Sequence, residues 1–165
     1  MQLKAWAECA VNGFFPFPAN GAWDKEFARV FSKDLRATFN ATTHSYDTWL
    51  SLYQTFNHSL VVFTPFNHGF TSVVAIPDSA NPKGGFVSMN GWEGGYHSLA
   101  KKDLWYSDTA FAVIEVDAQG KRKIVEFREA TNMPSGGGVL PPGTDWACVL
   151  PNTGPGGNGS VKMAV

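Results

Sequence analysis

Asp108 and Glu129 are the two carboxylates that the sequence sets up for proton transfer. Both fall in DLWYSDTAFAVIEVDAQGKRKIVEFREATN, residues 103–132, which reads as two long strands joined at Asp117-Ala118-Gln119-Gly120. Residues 110–116 and 123–127 are rich in β-branched and aromatic types, and Gly120 supplies the positive φ that a tight hairpin needs. A turn that pairs Asp117 with Gly120 puts Asp108 opposite Glu129, on the face that also carries Ala110, Ala112, Val125 and Phe127. Two carboxyls on one apolar face split their pKa values and make an acid/base pair. A glycine bulge that pairs Asp117 with Lys121 instead puts Asp108 opposite Ala130 and separates the acids. A salt bridge of Glu129 with Arg128, or plain exposure near the strand ends, is the structural alternative for both.

Histidine is the commonest general base near neutral pH. Of His44, His58, His68 and His97, two are placed to join a carboxylate: His44 where the chain enters a buried helix, and His68 at the mouth of a strand. Either could form a His/carboxylate dyad with Glu129 or Asp108. No histidines pair at i, i+4 on a helix and none sits beside a cysteine, so the spacing does not describe a metal site. Glu93, in Gly91-Trp-Glu-Gly-Gly95, is a further acid, and its glycines point to a bulge or a close backbone approach, with a mobile turn as the alternative. Tyr53, Phe56, Trp92, Tyr106 and Phe127 are the aromatic side chains expected to line a ligand pocket, with core packing as the alternative for each. There is no phosphate-cradling loop and no GxSxG elbow, and the sequence calls for no cofactor.

The elements that must position these residues divide the chain. Residues 3–11 can form a short helix with Leu3, Trp6, Ala7 and Ala10 on one face, ended by Asn12-Gly13. FFPFP, residues 14–18, is an extended apolar segment because each proline pushes its predecessor out of the α region; it can lie across the core as a strap or cover a pocket as a lid. Residues 23–31 form a second helix, broken by Ser32-Lys33-Asp34, and residues 35–40 alternate as a strand. A third helix, residues 46–56, is capped by Ser45 or Asp47 and is apolar over most of its circumference. Residues 60–63, 69–76 and 86–92 read as strand segments, with residues 93–95 and 100–102 as a looser connection before the closing hairpin. Residues 134–165 are rich in Gly and Pro and read as a tail without its own core, in which Trp146, Val149 and Leu150 could dock on the domain. The division is thus a domain over residues 1–133 and a tail over 134–165.

The 165 residues suffice for one domain that needs no disulfide or metal to fold. With 13 basic and 14 acidic residues the formal charge is −1, which excludes the basic footprint of a nucleic-acid binder. The 13 Phe, 6 Trp and 4 Tyr imply either an aromatic core or an aromatic-lined cavity. No apolar run approaches a membrane span. Residues 1–20 do not read as a signal peptide, and Cys9 and Cys148 form no CxxC pair. A cytoplasmic protein with free thiols is the expectation.

The order of elements and two local stretches resemble the SnoaL-like branch of the nuclear transport factor 2-like superfamily. FSKDLRATFN, residues 31–40, is similar to the first strand after the second helix, and DAQGKRKIVEFREATN, residues 117–132, is similar to the final hairpin. The resemblance covers residues 3–132. It implies an α+β conical fold, a curved antiparallel sheet wrapped around three N-terminal helices, with an apolar pocket between sheet and helices and homodimerisation through the outer sheet face. The steroid-isomerase type of this fold carries an acid at the end of the first strand and a second that would fall near Ala112. Here those places hold Phe39-Asn40 and Ala112, so that mechanism is not implied. The expected functions are a small-molecule enzyme doing cofactor-free acid/base chemistry (isomerase, dehydratase or cyclase) on an apolar metabolite, a non-catalytic binding protein for such a metabolite, or a dimeric interaction module of the same fold.

Overall fold

The computed structural model describes residues 1–132, so the expected tail lies outside the described residues. Helix α1 (Leu3–Phe14) and helix α2 (Trp23–Val30) lead into strand β1 (Phe31–Phe39), which turns back through the short β2 (Thr42–His44). Helix α3 (Tyr46–Ser59) and a 3₁₀ turn (Leu60–Val62) precede four long strands: β3 (Phe63–Pro77), β4 (Gly85–His97), β5 (Lys102–Val116) and β6 (Arg122–Thr131). The sheet runs β2-β1-β6-β5-β4-β3 and is curved and unclosed. All neighbours pair antiparallel except β1 and β6, which are parallel.

Ser45 and Thr48 start α3 with a reciprocal capping box, the Thr48 hydroxyl accepting from the Ser45 backbone N–H at 2.9 Å. Trp49 and Tyr53 then face the core. The helices carry one aromatic cluster against the sheet: Phe14 and Phe27 lie 4.8 and 4.5 Å from Phe31, and Trp49 lies 5.2 Å from Tyr53. Phe127 of β6 completes it, 5.8 Å from Phe14. Ring pairs in this range add to the area they bury.

Four local expectations change. Ser32-Lys33-Asp34 does not break the chain; a register shift against β6 between Phe31 and Arg36 absorbs these polar residues while Phe31 and Leu35 stay buried. Residues 60–62 are a 3₁₀ turn and not a strand, with Leu60 buried and Val61 60% exposed. Residues 93–95 are not a loose connection but the middle of β4. Gly94 and Gly95 have φ of 143° and 153°, and a Cβ there would strike the carbonyls of Leu104 and Pro65, so only glycine lets the three strands approach this closely. Cys9, expected as a free thiol, is disulfide-bonded; Cys148 lies outside the described residues.

The closing hairpin follows neither expected register. Asp117 N–H donates to Lys121 at 2.8 Å and Val116 pairs with Arg122, which is the bulged turn. A second shift, between Val113 and Ile114, adds one more residue on β6. Asp108 therefore pairs with Thr131, and Glu129 with Ala110. Each one-residue slip alone would turn the β6 side chains over, but two slips restore the phase. Asp108 and Glu129 are thus diagonal neighbours on one face.

Candidate active site

Strand alternation brings a row of acids onto the inner face of the sheet. Val87, Met89, Gly91 and Glu93 point inward from β4; Tyr106, Asp108, Ala110 and Ala112 from β5; Phe127, Glu129 and Thr131 from β6. Glu93 is 3% exposed and Glu129 9%, while Asp108 is half-buried. Thr131 reaches over Asp108's strand position to donate to Glu93 at 3.5 Å. Gly91, beside Asp108, leaves the room its carboxylate occupies: a Cβ there would lie 3.2 Å from Asp108 Oδ1. Tyr53 comes down from α3 and its hydroxyl hydrogen-bonds the Glu129 carboxyl.

Among the described residues no lysine or arginine pairs with these three acids. Burial first, and for Glu93 and Glu129 the neighbouring acids second, therefore pushes their carboxyls up. Glu93 rises to about 8, through burial first and the charge of Asp108 second, against the Thr131 hydrogen bond. Glu129 is raised well above the usual carboxylate range by burial and by both other acids, against the Tyr53 hydrogen bond. Asp108 rises to about 6 by burial. Its smaller rise fits its position, since it also borders a wide open depression of about 530 Å³ lined by Thr71, Asn90, Ser107 and Thr109. Tyr53 and Tyr106 are also raised, by burial and then by the neighbouring acids.

Over the acids the cavity is nearly closed. Phe15, Pro16, Phe39, Tyr53, Phe56, Leu60, Glu93 and Glu129 line a space of about 10 Å³, near the lower limit for one water. The FFPFP segment forms its roof. The Phe15 ring stacks on His68 at 4.3 Å, Phe17 lies 5.7 Å from the same ring, and Pro16 accepts from Asn57 Nδ2 at 3.1 Å. Asn20 ties down the segment's other end by donating to the Gly13 and Phe15 carbonyls at 2.8 and 3.0 Å. Burial holds His68 down to about 3, so its ring is neutral at physiological pH.

No known family's sequence profile matches the chain, and no curated protein matches it. Solved structures do match. A nuclear transport factor 2-like protein of unknown function from Pseudomonas aeruginosa superimposes with a TM-score of 0.59 at 11% identity, covering 77% of this chain and 98% of its own. ActVI-ORFA from Streptomyces coelicolor gives 0.58 at 13% identity, covering 77% and 96%. A SnoaL-like protein from Jannaschia sp. CCS1, assigned as a polyketide cyclase, gives 0.54 at 12% identity, covering 81% and 89%. This chain has the nuclear transport factor 2-like fold. Identities this low carry the fold and not the activity.

Within the nuclear transport factor 2-like cone, the expected site residues separate. Glu129, Tyr53 and Phe56 line the cavity, while Asp108 lies on the neighbouring strand, close enough to raise Glu129, and lines the open depression. His68 lies across the β3–β4 pair from Glu93, not beside Glu129 or Asp108. His44 sits apart on β2, half-buried and 5.5 Å from Trp49. Tyr106 belongs to a smaller cluster with Leu60, Phe63 and Phe66. Phe127 is a core residue, 5.9 Å from Trp49. Trp92 is out of phase with Glu93, on the outer side of β4, edge-on to Trp105 at 5.3 Å. Phe15 and Pro16 come from the segment expected as a strap or a lid, and the wall residues that sequence reasoning missed are Phe39 and Leu60. The inward phase of Glu93 was detectable, because Val87, Met89, Gly91 and Glu93 form one period-2 series. Among the described residues no group of three His, Cys, Asp or Glu is arranged to hold a metal ion, and no helix is long and apolar enough to cross a membrane.

Proposed function

We propose that the cavity carries out cofactor-free acid/base chemistry on an apolar carbonyl compound, by isomerisation, dehydration or cyclisation. One observation supports this above the others: three carboxyls buried together without a basic partner. Uncompensated burial of that kind costs several kcal/mol and returns no packing that Leu or Met would not give, so its use is chemical. The acids divide the labour. At pH 7 Asp108, near 6, is mostly ionised and Glu93, near 8, mostly protonated. The Asp108 carboxylate takes a proton from the carbon next to the carbonyl, while Glu93 gives its proton to the carbonyl oxygen, leaving an enol. Return of the Asp108 proton to a different carbon, with the enol proton going back to Glu93, gives an isomer; transfer of the Asp108 proton to a β-hydroxyl that leaves as water, again with the enol proton returning to Glu93, gives dehydration. Glu129, held by Tyr53, keeps the Glu93–Asp108 pair in a setting where only one charge is tolerated.

The test is solvent deuterium incorporation, followed by mass spectrometry, over a panel of apolar ketones and enones. Protein-dependent exchange that disappears in Asp108→Asn supports the reading. Exchange unaffected by Asp108→Asn and Glu93→Gln, or no exchange with any compound, removes it.

The near-closed cavity favours a second reading, an interaction module whose cone is filled by its own aromatics. The exposed outer-face residues Val74, Ile76, Phe86 and Phe111 support homodimerisation through that face, with Phe86 and Phe111 stacked at 6.2 Å. The disulfide at Cys9 favours an oxidising compartment over the expected cytoplasmic one, and thiol counting on protein isolated under alkylating conditions decides between them.

A further inference from the structure

The Phe15 ring occupies a place that a ligand could take. It belongs to a segment without regular backbone pairing, between α1 and α2. It lies flat on His68 with 18° between the planes, and nearly flat to Phe66, 5.7 Å away at 19°. The same ring lines the cavity that Glu93 and Glu129 also line. The slot is therefore shaped for one planar ring with carboxyl groups beyond it.

The charges around that slot all have one sign. Lining it are Glu93 from β4, Glu129 from β6 and the titratable Tyr53 from α3, with His68 of β3 under the Phe15 ring; Asp108 and Tyr106 of β5 lie behind them on the same sheet face. The strap contributes Phe15 and Pro16, β1 contributes Phe39, and α3 adds Phe56. None of these elements presents a lysine or arginine to the cavity. An anion entering here would meet carboxylates without a counter-charge. A cation would find the carboxyls of Glu93 and Glu129 and the aromatic side chains of Phe39, Tyr53 and Phe56. A protonated amine would also relieve the burial penalty of the acids by letting more of them ionise.

We infer that the carbonyl compound this site takes also carries an aromatic ring and an amine, the ring replacing that of Phe15 against His68 and the protonated nitrogen meeting the Glu93–Asp108–Glu129 carboxyls. The inference rests on the reading of the cavity as a ligand site. Its proton balance is simple: at pH below the acids' titration, each cation bound displaces about one proton to solvent.

Three probes built on the same phenethyl group test it by isothermal titration calorimetry at 25 °C: phenethylammonium, 2-phenylethanol and 3-phenylpropionate. They are titrated into the wild-type chain and into Phe15→Ala, in which the slot is emptied; Phe15 is only half-buried, and circular dichroism checks the fold. The expected result is saturable binding of phenethylammonium to Phe15→Ala, at least about tenfold tighter than the alcohol and more than the propionate, and weaker in wild type because Phe15 must leave. Affinity should rise between pH 5 and 8, by up to about tenfold per pH unit below pH 6. Asp108→Asn, which removes a buried charge and should fold at least as well, should flatten that rise. Equal binding of the alcohol, or tighter binding of the propionate, overturns the ligand class and leaves the cavity reading standing. No binding of any probe to folded Phe15→Ala removes both.

Discussion

Glu93→Gln should make this protein more stable, by an amount that grows with pH. The side chain is 3% exposed and keeps its shape as glutamine, whose amide oxygen can still accept from Thr131. In the unfolded chain Glu93 releases its proton near 4.5; in the folded chain it holds it to about 8. The folded state therefore binds more protons between these two values, and stability that is full below pH 4.5 is lost as pH rises through that window. Each pH unit in the window removes about 1.4 kcal/mol, so by pH 7 the wild-type chain has given up about 3 kcal/mol at this residue. Gln has nothing to ionise. The variant should match wild type near pH 4.5, exceed it by about 3 kcal/mol at pH 7, and gain no more above pH 8. For a domain of this size that is roughly 10 °C in Tm at neutral pH. The assay is urea unfolding of both proteins at half-unit pH steps from 4.5 to 9, with the difference in free energy plotted against pH. Two parallel curves across pH 5–8 would mean that Glu93 ionises normally in the folded protein, and the acid/base assignment built on it would fall.

Three further outcomes follow from the same geometry. Asp108→Asn should lower any protein-dependent deuterium exchange by about 10²- to 10⁴-fold while leaving Tm at pH 7 equal or higher, and an unchanged rate would acquit Asp108. Tyr53→Phe removes the hydrogen bond that favours ionised Glu129, so carbon-13 NMR of the Glu129 carboxyl should show it titrating at still higher pH; a downward move would contradict the assigned contact. Gly95→Ala, with φ at 153° and the Pro65 carbonyl against the new Cβ, should destabilise by at least about 3 kcal/mol, and a thermal melt within about 1 kcal/mol of wild type would show that β3 and β4 can separate there.

The fold was legible because its signals are local and repeated. Helix α3 has a capping box at Ser45 and an apolar face, and β5 and β6 are long, β-branched and joined at Gly120. The inward placement of Asp108 and Glu129 was readable from alternation, but their pairing was not. It depends on a bulge near Val125 that leaves no residue signature, since any side chain can occupy it. Glu93 was visible as a candidate acid, and its glycines suggested a close backbone approach, but a mobile turn explained them as well; the carbonyls of Leu104 and Pro65, contacts made across strands distant in sequence, decide for the close approach. The roof of the cavity was legible only as a choice between strap and lid: the prolines of FFPFP dictate extended backbone, but which side each Phe presents depends on His68 and Phe66, some fifty residues away.

Stability and use pull against each other at this site, and the pull can be measured residue by residue. The aromatic cluster around Phe14, Phe27, Phe31 and Trp49 is fully buried, and truncating any one of those rings should cost about 3–5 kcal/mol. The acids work in the opposite sense, because each is held away from its counter-charge at a price that the aromatic cluster offsets. If the acids served the scaffold, neutral isosteres would loosen the fold, since a structural carboxylate is worth keeping only for the hydrogen bonds or ion pairs it makes. If they serve a ligand, neutral isosteres tighten the fold and erase the chemistry together. Residues whose replacement raises stability and lowers function mark an active site more surely than residues whose replacement lowers both. Glu93, Asp108 and Glu129 are the three positions in this chain where that pairing of effects is expected.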